Sequence, residues 1–149
     1  MTEATEPLYL IDSNVLVYGY DQTDPQKHKI AQKLLEQCWK KTRIFAISSQ
    51  NLAEFFVIVT KKIPHPLSLE EAEQIIADII HFSHWHVLRY DEQTLLKAIG
   101  LYRKGGKHFW DAVIVATMLQ NSIFHIYTEN AKDFSVYDFI NIINPFRSE

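Results

Sequence analysis

One cysteine, Cys38, among 149 residues excludes an internal disulfide and leaves no second thiol for a zinc knuckle. Cys38 reads as a half-buried thiol on a helix in a reducing cytoplasm. No apolar run approaches the roughly 18 residues that a membrane-spanning helix needs. The opening "MTEATEPLYL" is acidic and short of apolar residues, which fits neither a signal nor a transit peptide, so a cytoplasmic protein is expected. Neither sign of charge dominates: the formal net charge of −3 argues against a generally basic nucleic-acid coat while leaving room for a local basic groove. Repeats, low-complexity tracts and linkers are also lacking. The whole chain, 1–149, therefore reads as one domain behind a flexible lead over 1–7, and its 47% hydrophobic content suffices for a single core.

Short apolar runs alternate with helical spacing along the chain. "LYLID" (8–12) reads as a buried strand ending in an acid, and "SNVLVYGY" turns at once into a helix. "QKHKIAQKLLEQCWKK" (26–41) has helical periodicity, "RIFAIS" (43–48) is a second strand, and "SQNLAEFFVIVTKK" (49–62) begins with a serine, Ser49, in N-cap position. After the "IPHP" break (63–66), Ser68 stands three residues before Glu71, a capping-box signature for the helix over 68–82. "WHVLRY" (85–90) is a third strand and Asp91 caps the helix that follows through Tyr102. "RKGGKH" (103–108) is a basic turn before an apolar helix, "IFHIYT" (123–128) a fourth strand, "ENAKDF" a turn and "INIIN" (140–144) a fifth strand. The alternation predicts an α/β fold: a mostly parallel sheet of about five strands covered on both faces, with any site outside the carboxyl ends of the strands.

The helix in "HFWDAVIVATML" (108–119) is apolar nearly all round, which places it in the interior and makes Asp111 conspicuous. A carboxylate taken from water must be paired, hydrogen-bonded or metal-bound. Three further acids sit at element ends: Asp12 closes the first strand, Glu54 lies among Leu52, Ala53, Phe55 and Phe56, and Asp133 follows the fourth strand. Each has an ordinary reading. Asp12 or Ser13 can cap a helix, Glu54 can face solvent, Asp111 can serve first-turn N–H groups and the helix dipole, and Asp133 can be a turn residue. Together they come from separate elements that a parallel α/β fold can bring to one sheet edge. Carboxylates converging without cations repel and raise one another's pKa values, which a hard divalent ion relieves, and an oxygen-only set without cysteine suits Mg²⁺ or Mn²⁺ better than zinc. Thr128 and Asn130 share the Asp133 turn and add oxygen or hydrogen-bond contacts.

The motifs "LIDSNVLVY", "SQNLAEFFVIV", "FWDAVIVATM" and "IYTENAKDF", in this order, resemble the PIN domain, and specifically the VapC-like toxin ribonucleases of type II toxin–antitoxin systems. The resemblance covers nearly the whole chain. It implies a three-layer α/β/α sandwich, acidic metal ligands at Asp12, Glu54, Asp111 and Asp133, and a supporting contact from Ser13. Asn130 stands where other members place an acid, which leaves Asp133 open between direct and water-mediated ligation. The implied activity is a Mg²⁺- or Mn²⁺-dependent endoribonuclease that hydrolyses RNA phosphodiester bonds, acts as a toxin, forms a homodimer and is blocked by a cognate antitoxin protein. The other class of function is a non-catalytic PIN-like module that binds RNA or protein.

Other signals are weaker. His81, His84 and His86 in "HFSHWH" lack the i, i+4 spacing of helical zinc ligands. "RKGGKH" lacks the spacing of a phosphate loop; its Arg103, Lys104 and Lys107 read either as an exposed basic turn or as phosphate contacts beside Asp111.

Overall fold

The first strand runs into the first helix with a single residue between them, and that abutment recurs along the chain. In the structure, a computed structural model describing residues 7–147, the elements are β1 (Tyr9–Ile11), α1 (Ser13–Tyr18), α2 (Pro25–Trp39), β2 (Phe45–Ser48), α3 (Ser49–Lys61), α4 (Leu69–His81), β3 (Trp85–Leu88), α5 (Glu92–Tyr102), α6 (Phe109–Gln120), β4 (His125–Tyr127), α7 (Ala131–Phe134) and β5 (Asn141–Ile143). Apart from Pro7, the lead expected over 1–7 lies outside the described residues.

All four strand pairings are parallel, in the order β3-β2-β1-β4-β5. The strand periodicity of two sends alternate residues to opposite faces. Leu10, Ala46 and Ile126 enter a core shared with α5 and α6, while Ile11, Phe45 and Ile47 enter a second core shared with helices α1 to α4. The sheet is thus the middle of three layers, as expected, and is parallel throughout.

Local signals explain most boundaries. Asp24 caps α2 with Pro25 at its first position, Ser68 and Glu71 close a reciprocal capping box on α4, and Asp91 caps α5. Helix α3 differs from expectation by one residue. Its N-cap is Ser48, the last residue of β2, and Ser49 is already helical, because strand and helix meet with no loop between them. The "ENAKDF" segment, expected as a turn, closes into the short helix α7. Cys38 is fully buried rather than half-buried; its thiol donates to the His84 carbonyl at 3.2 Å, and burial pushes its pKa up to about 11.

Helix α6 lies in the interior, with every residue from Ala112 to Met118 buried. Its entry is set by the turn after α5, where Gly105 has φ +117°, a region that side chains with a Cβ rarely occupy. Gly105→Ala should therefore lower the unfolding free energy by about 1 kcal/mol in urea titrations. Gly100→Ala, in α5 with open space where the Cβ would go, should raise it by roughly 0.5–1 kcal/mol. Equal effects at the two positions would contradict the strained-turn assignment.

Candidate active site

The strand order reverses beside β1: the chain moves outward through β2 to β3, then returns to place β4 on the other flank. Crevices at such reversals, outside the carboxyl ends of the strands, are where open α/β sheets bind ligands. Asp12 stands at this point. Its backbone N–H continues the ladder to the Tyr127 carbonyl at 3.0 Å, and its side chain is buried.

Both carboxylate oxygens of Asp12 are occupied. Oδ1 accepts from the Ser13 N–H at 2.8 Å and from Asn51 Nδ2 at 3.2 Å, with Ser13 Oγ at 3.4 Å; Oδ2 accepts from Thr128 Oγ1 at 2.7 Å and Asn14 Nδ2 at 3.3 Å. Burial pushes the Asp12 pKa up, and the bonds from Thr128, Ser13 and Asn14 oppose that push. These contacts tie β1 to α1, α3 and the end of β4. Thr128 Oγ1 in turn accepts from the Asn130 backbone N–H at 3.0 Å, and the Asn14 carbonyl oxygen accepts from the Glu129 N–H at 3.1 Å.

Glu54 sits on the second turn of α3 and is half-buried against Ser13, whose Oγ reaches its Oε1 at 3.2 Å. The single Ser13 hydroxyl proton is thus shared between Asp12 and Glu54. Burial raises the Glu54 pKa and the Asp12 charge raises it further. Asp111 is in the first turn of α6, and the starts of α3 and α6 are joined where Gln50 Nε2 donates to the Trp110 carbonyl at 3.2 Å. Its pKa is pushed up to about 6, by burial first and then by the charge of Asp12; His108 opposes the shift, while Asp133 and Glu54 add to it. Asp133, on α7, lies 3.9 Å from Lys107 Nζ and 3.8 Å from His108 Nε2.

All four acids singled out in the sequence therefore lie within one another's electrostatic reach, directly or through Asp111. Ser13 and Thr128 contact Asp12 directly, and Asn130 acts through its backbone. Of the three turn cations, Lys107 reaches the acids. Arg103 ends α5 exposed, and Lys104 lines an open recess with Lys97, Leu119 and Phe139; among the described residues neither forms an ion pair. His81 and His84 are held locally, by the Ala77 carbonyl and the Ser83 hydroxyl. Glu129 pairs with Lys27 and accepts from Tyr18 Oη at 3.0 Å, which directs its charge to α1 and α2. Sequence reasoning did not single out Asn14, Asn51 or His108. Asn14 lies within "LIDSNVLVY", but a carboxamide's task depends on which acid the fold places opposite it, and that partner is distant in sequence for Asn51.

The donor set fits a hard divalent cation. It is oxygen-only, and beyond the effect of burial the Asp12 charge raises the pKa values of Glu54 and Asp111, as neighbouring carboxylates do where positive charge is wanting. Among the described residues no three His, Cys, Asp or Glu side chains are drawn together as a ready-made cage. Mg²⁺ needs no such cage: it binds a few carboxylates and completes its shell with water and phosphate oxygens.

Because the Asp111 pKa is raised on folding, the native state holds more protons than the unfolded chain between about pH 4 and 6, and stability falls as pH rises through that window. Asp111→Asn should raise the melting temperature of the metal-free protein at pH 7.5, and the gain should vanish near pH 4. A gain independent of pH would mean that charge is not its source.

Comparison with known proteins agrees with this architecture. The PIN domain profile matches residues 9–140. Among solved structures, VapC20 of Mycobacterium tuberculosis, described as a sarcin–ricin loop cleaving toxin, superposes with a TM-score of 0.68 at 18% identity, covering 89% of this chain and 96% of that one. A toxin–antitoxin complex from Klebsiella pneumoniae gives 0.65 at 20% identity, covering 94% and 99%. VapBC2 from Rickettsia felis, bound to a DNA fragment from its promoter, gives 0.64 at 18% identity, covering 92% and 98%. No curated protein sequence matches significantly. With the profile spanning almost all of the described residues and the same fold recurring over nearly the full length of these structures, the chain belongs to the PIN domain family.

Proposed function

We propose that the protein is a Mg²⁺- or Mn²⁺-dependent endoribonuclease that hydrolyses RNA phosphodiester bonds, and the toxin of a toxin–antitoxin pair. The observation that carries this reading is the placing of Asp12, Glu54 and Asp111 at the strand-order reversal, where burial raises the pKa of each and the Asp12 charge raises those of Glu54 and Asp111 further. A binding module has no use for carboxylates crowded until they resist ionisation, whereas a phosphate-cleaving site does, because the same oxygens hold a cation.

When bound, the cation would neutralise charge on the scissile phosphate and make water a competent nucleophile at neutral pH. Asp12, Glu54 and Asp111 would hold it, with Asp133 either ligating or acting through water. Asp12 is fixed by its hydrogen bonds and supplies an oriented oxygen edge. Ser13 keeps Glu54 facing Asp12 by sharing its hydroxyl between them. Lys107, exposed beside Asp133, offers positive charge to the phosphates flanking the cut, and His108 beside it offers a ring nitrogen for hydrogen bonding. Cys38, buried with its thiol strongly protonated, is not suited to nucleophilic attack.

The toxin assignment draws on the similar structures, two of which are described as toxin–antitoxin or VapBC assemblies. By that reading the chain works in the cytoplasm as a homodimer, and a cognate antitoxin protein occludes the acids. No helix among the described residues is long and apolar enough to cross a membrane.

A panel of structured and single-stranded RNAs incubated with Mg²⁺, Mn²⁺ or EDTA tests the activity. Wild type should cut with metal and not with EDTA, and Asp111→Asn should cut at least about 100-fold more slowly while staying folded. Metal-independent cutting, or equal cutting by the variant, would sink the assignment.

A further inference from the structure

We propose that Asn51 is a positioning residue for the acid cluster: its carboxamide fixes the Asp12 carboxylate and sets it in register with Glu54. The proposal rests on the reading of the acids as one metal-binding unit. Asn51 is fully buried at the third position of α3, three residues before Glu54 on the same helix. Its Oδ1 accepts from the Ser48 backbone N–H at 3.2 Å and from the Ser48 hydroxyl at 2.8 Å, while its Nδ2 donates to Asp12 Oδ1 at 3.2 Å.

The chemistry of the neighbours dictates the orientation of this amide. Flipped, it would set its NH₂ against the Ser48 N–H and its carbonyl oxygen against a carboxylate, losing two bonds and opposing like charges. The start of α3 can therefore accept Asp12 in one rotation of the carboxylate plane. Asn14 holds the opposite oxygen from the β4 side, donating to Oδ2 while accepting from Glu129 N–H. Two carboxamides thus grip the two oxygens from different elements. Because Asn51 and Glu54 ride on one helix, the grip also fixes the spacing between the first two acids. Groups that orient metal-binding side chains commonly change affinity or turnover by about 10–100-fold when removed.

Helix capping is the competing role, and Ser48→Ala separates the two. It removes the cap hydroxyl and leaves the Asn51–Asp12 contact, with Oδ1 still bonded to the Ser48 N–H. Asn51→Leu removes the donor to Asp12 at similar volume without adding charge. Asn51→Ala, smaller and uncharged, also removes the donor to Asp12, and it replaces the Leu variant if that one does not fold.

Three readouts are taken: steady-state RNA cleavage, Mn²⁺ affinity by electron paramagnetic resonance without RNA, and crystal structures of the metal-free variants. The Asn51 variant should lower kcat by 10–100-fold with KM changed less than about threefold, shift Mn²⁺ affinity about tenfold and turn the Asp12 carboxylate plane. Ser48→Ala should lower the melting temperature and leave kcat, affinity and carboxylate as in wild type. Equal losses in both variants would reduce Asn51 to a cap and overturn the proposal, as would an Asn51 variant with an unturned Asp12 and wild-type affinity. If the wild type cuts no RNA, the functional reading fails on its own, and Mn²⁺ affinity and the Asp12 orientation still decide the role of Asn51.

Discussion

The burial of one ionisable side chain, Asp12, at the edge between β1 and β4 is the constraint on which the rest of the site depends. A carboxylate removed from water needs donors on both oxygens. The fold supplies them from four places: the α1 backbone and the Asn14 side chain, Asn51 on α3, and Thr128 beyond β4. The elements that bear Glu54 and Asp133 therefore cannot drift from Asp12 without stranding a buried polar group. Preorganisation of this kind costs stability in the free protein and places charge before a ligand arrives.

Glu54 is joined to this frame through the Ser13 hydroxyl, whereas Asp111 is coupled to it by field rather than by contact. Among the described residues Asp111 makes no hydrogen bond to the other acids, yet after burial the charges of Asp12, Asp133 and Glu54 all push its pKa upward, to about 6. Helix α6 sustains that unfavourable charge because its next two turns are wholly buried between α5 and the sheet, so its first turn cannot swing away. The aspartate in an otherwise apolar helix is thus a charge held where it is resisted, at the end of a rigid rod. His108 opposes the shift at Asp111 and Lys107 lies against Asp133, and both stay exposed enough to meet a polyanion.

Much of this was legible in the sequence. The alternation of short apolar runs with helical spacing gave the layers, and Ser68, Asp91 and the strand-final Asp12 marked element ends by ordinary capping chemistry. The acids stood out because an acid among apolar neighbours needs a reason. What stayed hidden was relational. Asn51 looks like a helix-start residue until Asp12 is found opposite it, and Arg103 and Lys104 look equivalent to Lys107 until the Gly105 turn sends them elsewhere. The one-residue shift of the α3 cap has the same origin, since only the packed structure shows β2 running directly into the helix.

The proposed activity requires the acids to form one electrostatic unit that a divalent cation relaxes. Titrating the Asp111 carboxyl by ¹³C NMR, in metal-free protein and in saturating Mg²⁺, tests this most directly. The structure predicts a metal-free pKa of about 6 that falls well below the ordinary aspartate range when Mg²⁺ is present. A metal-free value near 4 that Mg²⁺ does not move would mean that the carboxylates are independent of one another and of the metal.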